Sequence, residues 1–105
     1  MAEIDCHSYY SCINCRNPVA LRFDLLSKDF LAKSGPAYLF SYARNIIVGI
    51  SEERNLLSGV HTIADISCSN CGEVLGWKYI RAYDIRQKYK EGKFILERAM
   101  IAKEY

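Results

Sequence analysis

Leu21, Phe23 and Leu25 alternate with Arg22 and Asp24, and a period of two predicts a strand. Gly35-Pro36 then marks a turn. After it, Tyr38, Phe40 and Tyr42 fall on one face, with Ala37, Leu39 and Ser41 on the other. This strand is expected to run into another across Arg44-Asn45. The stretch GVHTIADISC places Val60, Thr62, Ala64 and Ile66 on one side of a further strand, and His61, Ile63, Asp65 and Ser67 on the opposite side. In GWKYIRAY, Trp77, Tyr79 and Arg81 share a face. Within KYKEGKFILERAMI, Glu91-Gly92 reads as a hairpin turn between two strand-like arms. A helix over 82–90 competes for the first arm, because Tyr83, Arg86 and Tyr89 also fit a period of 3.6. The sum is a mainly β chain with little helix.

Length changes this picture only by limiting it: 105 residues supply one core, so 9–105 is expected to form a single domain behind a flexible segment 1–8. Half of the residues are hydrophobic and a quarter charged, which excludes a disordered composition. The net charge of +2 is too small to argue for nucleic acid by itself. No apolar run approaches the roughly 20 residues that a membrane span requires. The first residues, MAEIDCHSYY, lack the basic start and apolar middle of a signal peptide. The expected location is therefore the nucleus and/or cytoplasm, where thiols stay reduced.

That compartment governs how the cysteines are read. Cys12 and Cys15 form one Cys-x-x-Cys pair, Cys68 and Cys71 a second, and Cys6 is left over. Two such pairs in a reducing compartment read as one tetrahedral zinc site rather than two disulfides. A pair spaced this way presents both sulfurs from one tight turn, at about 2.3 Å from a shared ion. Gly72, next to Cys71, permits the positive φ such turns use. Four thiolates close the coordination shell, so one structural zinc per chain is expected, joining two hairpins far apart in sequence. A catalytic zinc would keep a position open for water. Cys6 reads as a bystander thiol.

The motifs YSCINC, GPAYLF, GVHTIADISCSNC, LGWKY and QKYKEGKFILE occur in an order and spacing that resemble the Yippee-like proteins, from about Tyr10 to Lys103. The segment SYARNIIVGISEERNLLS departs from many members. The resemblance implies a eukaryotic zinc-binding protein related to the thalidomide-binding domain of cereblon. The fold it implies is a β-tent, two antiparallel sheets pinned by zinc on Cys12, Cys15, Cys68 and Cys71. It also implies protein partners in ubiquitin-ligase, cell-division or nuclear regulatory assemblies. Cereblon-like domains follow a similar second knuckle with aromatics that cage a cyclic imide. Trp77 and Tyr79 match that part of the motif, but the full cage is absent, so imide binding is not implied.

Trp77 lies close behind Cys71 in the chain, and in a strand it shares a face with Tyr79. Gly76 allows close backbone approach by a neighbour or a ligand. One reading makes Trp77 and Tyr79, with His61 and Phe40, the wall of a concave site for a small ligand or a peptide end. The other makes the two rings a buried strand face. His61 beside Asp65 suits a hydrogen-bonded pocket or core position better than a catalytic pair. Lys88, Lys90 and Lys93, interleaved with Tyr89, read as a solvated hairpin tip or a patch for an acidic partner. The leading functional class is a non-catalytic adaptor that binds other proteins. A nucleic-acid-binding zinc module is the alternative, and a methionine sulfoxide reductase-like enzyme comes last, because no cysteine follows Cys71 to act as its nucleophile.

Overall fold

A computed structural model describes residues 8–104. The expectations for residues 1–7, Cys6 included, lie outside the described residues. Among the described residues, nine strands form two antiparallel sheets. The smaller sheet has the order β2-β1-β9, from β1 (Tyr9–Cys12), β2 (Pro18–Leu21) and β9 (Ile101–Glu104). The larger has the order β3-β4-β8-β7-β6-β5, from β3 (Leu25–Ala32), β4 (Gly35–Phe40), β5 (Ile46–Leu56), β6 (Gly59–Cys68), β7 (Val74–Ala82) and β8 (Phe94–Glu97). No α-helix occurs among the described residues; the helical content is short 3-10 turns.

The alternation in β4 is observed as read, and it assigns the two faces of the large sheet. Phe40 packs with Tyr10, Val19, Ile66, Leu75, Phe94, Leu96 and Ile101 in a core between the two sheets, and Tyr38 packs against it. Ala37 and Leu39 point the other way, into a second cluster with Ile63, Trp77, Tyr79 and Ile95. Neighbouring residues of one strand thus feed opposite cores, as the pleat requires.

Two expectations need correction. The strand through Leu21, Phe23 and Leu25 is broken by a 3-10 turn at Arg22–Asp24, which leaves Phe23 85% exposed. The chain here leaves the small sheet for the large one, and a corner cannot keep the alternation of a strand. The first arm before Glu91-Gly92 is neither a strand nor an α-helix but a 3-10 helix, Ile85–Lys90. Asp84 caps it, its side chain accepting from Arg86 N at 2.9 Å. In β6 the two sides are divided as read: Ile66 packs into the core between the sheets and Ile63 into the second cluster.

Candidate metal centre and aromatic groove

The two cysteine turns share one construction. In the first, Cys12 N donates to Asn17 O and Arg16 N to Cys12 O, both at 2.8 Å. In the second, Cys68 N donates to Glu73 O at 2.8 Å and Gly72 N to Cys68 O at 2.9 Å. The residue after each second cysteine has positive φ, 66° at Arg16 and 83° at Gly72. Glycine adopts that conformation freely, whereas at Arg16 it costs about 1 kcal/mol. Arg16 is tied down by Glu104, whose carboxylate accepts from its guanidinium at 2.5 Å and from the Ser11 hydroxyl at 2.7 Å.

The turns face each other. Cys12 Sγ lies 3.6 Å from Cys71 Sγ, and Cys15 Sγ lies 3.5 Å from Cys68 Sγ. The four sulfurs all fall within 4.8 Å of one another, and all four are free thiols. Sulfurs each 2.3 Å from one central ion form a tetrahedron with edges of about 3.8 Å, so the cluster has the size for one tetrahedral ion.

Donors surround the sulfurs as thiolate ligands require. Asn17 Nδ2 donates to Cys68 Sγ at 3.3 Å, and Asn70 N donates to it at 3.4 Å. Burial raises the Cys68 thiol, but the Asn17 amide and the backbone N–H groups of Cys71 and Asn70 outweigh it and bring it down to about 6. The Asn14 side chain and the Glu73 N–H hold Cys71 below the usual thiol value. Burial dominates at Cys12 and lifts its thiol to about 11. A divalent cation would supply the charge that lets this buried sulfur ionise beside the others. Sequence reading did not single out Asn17, although its place just beyond Cys15 puts it within reach of the second knuckle. Asn45, also unpredicted, takes φ 57°, donates from its side chain to Pro18 O and receives Ser69 N on its carbonyl, linking both cysteine turns.

On the far face of the large sheet, Trp77 and Tyr79 floor a groove of about 1040 Å³. The two rings meet edge to face at 6.2 Å. Trp77 is 8% exposed and Tyr79 2%, so each is packed against the second core on one side while lining the groove on the other. Burial pushes the Tyr79 hydroxyl up to about 12. His61 is buried behind Tyr79, with ring centroids 5.3 Å apart, and its Nδ1 is 2.9 Å from Gly59 O; it does not line the groove. Phe40 does not join this group at all: it belongs to the core on the opposite face, 5.4 Å from the Tyr10 ring, because its parity in β4 points it away. Asp65 pairs with Arg54 at 3.7 Å and makes no pair with His61.

The basic run is largely the solvated tip that one reading expected, with its exposed cations paired locally and Lys90 buried. Arg86 pairs with Asp84 at 2.9 Å, Lys88 pairs with Glu91 at 3.2 Å, and Lys93 Nζ donates to Tyr89 O at 2.6 Å. Lys90 is only 3% exposed and turns into the groove wall.

A family model described as Yippee zinc-binding/DNA-binding/Mis18, centromere assembly, matches residues 8–104. The chain belongs to the Yippee family. It is 63% identical over 95 residues to a yippee-like protein of Arabidopsis thaliana, covering 90% of each chain. Protein yippee-like 3 of Homo sapiens is 53% identical over 93 residues, 89% of this chain and 78% of that protein. Among solved structures, the Mis18 Yippee-like domain superposes with a TM-score of 0.74, over 93% of this chain and 95% of that one. Its identity is 17%, so this likeness speaks for the fold of the Yippee domain alone.

Proposed function

We propose that this Yippee domain is a non-catalytic adaptor, cross-linked by one structural zinc ion on Cys12, Cys15, Cys68 and Cys71, that presents the large sheet to protein partners in the nucleus or cytoplasm. The observation that carries the reading is the convergence of four sulfurs from two hairpins on one point, with amide donors already aimed at them. Zinc on four thiolates is a closed structural site and offers no position for a reacting water. Structural zinc in peptides contributes about 10–16 kcal/mol at neutral pH, enough to decide whether a domain of this size folds.

Partners in ubiquitin-ligase, cell-division or nuclear regulatory assemblies are the proposed class. The description of the matching family names centromere assembly, which supports a role in protein assembly. The same description also names DNA binding, which keeps a nucleic-acid module as the alternative. Arg86 and Lys88 are exposed, but their pairing with Asp84 and Glu91 and the burial of Lys90 leave little net positive charge there for a phosphate backbone, which favours the adaptor.

Elemental analysis of the purified chain, paired with affinity purification from native cells, tests the proposal. The expected result is about one zinc per chain and a reproducible protein partner set that Cys68→Ser abolishes together with the fold. A chain that stays folded and metal-free in chelator would overturn the zinc, and a recovered set dominated by nucleic acid would overturn the adaptor.

A further inference from the structure

Lys90 is a buried cation without a buried anion. Its Nζ donates to Ser58 Oγ at 2.7 Å and lies 5.3 Å from the ring centroids of both Phe30 and Tyr79, and 6.0 Å from that of Tyr89. No carboxylate pairs with it among the described residues, whereas Arg54, on the same groove, has Glu52 and Asp65. An ammonium held by three ring faces and one hydroxyl still has donor capacity to spare. Burial alone lowers its affinity for the proton, and a ligand carrying negative charge would reverse that cost.

Trp77 shares this region. Its ring meets the Tyr79 ring edge to face at 6.2 Å, and Lys90 Nζ lies over the same Tyr79 ring, while the indole Nε1 is shut away from solvent. The donor capacity left on the groove is therefore that of Lys90.

The shape identifies what brings the acceptor. The groove follows β7 from Val74 to Tyr79, a run of about 17 Å at the rise of a strand. Its flanks are the β3–β4 and β5–β6 hairpins, with Leu31 and Leu57 exposed on them at 64% and 91%. Such a trough suits an extended chain laid through it, apolar side chains on the flanks and one acidic side chain turned to the floor.

We propose that this groove binds an extended peptide segment carrying an Asp or Glu between apolar residues, the carboxylate seated on Lys90 Nζ. This rests on the adaptor reading and names the chemistry of the partner segment.

Emission of Trp77, the one tryptophan of the chain, reports binding directly. The probes are short acetylated, amidated peptides with leucine and valine flanks and Glu, Asp, Gln or Lys at the centre, together with a Gln peptide ending in a free carboxylate. The expected result is saturable binding of the Glu or Asp peptide, at least about tenfold tighter than Gln, weakening with added salt and lost about tenfold in Lys90→Met. Equal affinity for Glu and Gln peptides overturns the proposal without needing any variant to fold. So does binding only by the free terminal carboxylate, or no binding by any peptide. Partners recovered equally by the wild type and by Lys90→Met would dismiss the groove while the adaptor stood. Acidic-peptide binding without any reproducible cellular partner would do the reverse.

Discussion

Gly76 is where the fold tolerates least. It sits in β7 opposite Leu96 of β8, and β7 and β8 are the pair that joins the two halves of the large sheet. A methyl group at this position would lie 2.8 Å from the Ile95 carbonyl carbon and 3.2 Å from Leu96 Cα, and closer still to the Ile95 oxygen. Ordinary carbon contacts are about 3.5–4.0 Å, so Gly76→Ala must drive the strands apart by roughly 1 Å. The atoms in the way are backbone and cannot swing aside as a side chain would. The Tyr79 N–H to Lys93 O bond, now 2.9 Å, and a neighbouring ladder bond would pass out of hydrogen-bond range. Overpacking at about 1–3 kcal/mol and two lost bonds at about 1 kcal/mol each give a total near 3–5 kcal/mol. That is a large share of the 5–15 kcal/mol typical of a whole domain. Urea unfolding of the zinc-loaded chain, followed by the adjacent Trp77, measures it. A Gly76→Ala variant within about 1 kcal/mol of the wild type would show that the close approach of β7 and β8 is not what this glycine serves.

Asn17→Ala removes the side-chain donor to Cys68 Sγ and should weaken zinc about 10–100-fold in chelator competition while the folded dichroism signal persists; an unchanged affinity would leave that contact without a role. Lys90→Met should change how stability depends on pH. Burial holds the Lys90 ammonium below the ordinary lysine value, so between its folded pKa and about 10.4 the unfolded chain binds more protons and wild-type stability rises with pH relative to the variant. A difference between the two proteins that stays flat on approach to that value would refute the burial of a charged Lys90.

The cysteine cluster was legible because spacing is a local property and metal chemistry is strict about it; each pair needs only one turn. The parity of β4 was legible for the same reason, since Tyr38 and Phe40 alternate with Ala37 and Leu39 whatever the sheet does next. Gly76 announced a close neighbour, and Ile95 is that neighbour. What could not be read depends on partners distant in sequence. Phe23 obeys the period of two yet sits at a corner, because the alternation cannot reveal where a chain changes sheets. Lys90 stands in a run of lysines and looks solvated. Only the fold brings Phe30, some sixty residues earlier in the chain, over its ammonium. Phe40 was placed with Trp77 on aromatic character alone, and parity carried across two strand pairings, β4 to β8 and β8 to β7, decided otherwise.

The separation of the two faces bears on how function could be dissected. β4 and β8 send alternate residues into the zinc-side core and into the cluster beneath the groove, Phe40 against Leu39 and Leu96 against Ile95, and β7 divides Leu75 from Trp77 in the same way across its register shift. The floor therefore has the zinc-side core as its support, one strand thickness away. A large-to-small change such as Trp77→Ala removes a groove wall and a core residue together, at about 3–5 kcal/mol, and lost binding could then come from either. The rim is different. Leu57 is 91% exposed and lies outside both cores, and Lys90 reaches the groove from a 3-10 helix rather than from a strand. Changes there alter what the groove offers a ligand without moving the sheet that carries the cysteines. If partner binding and metal binding are separable in this domain, the physical boundary between them runs along that rim, and substitutions on either side of it should fall into two classes with little overlap.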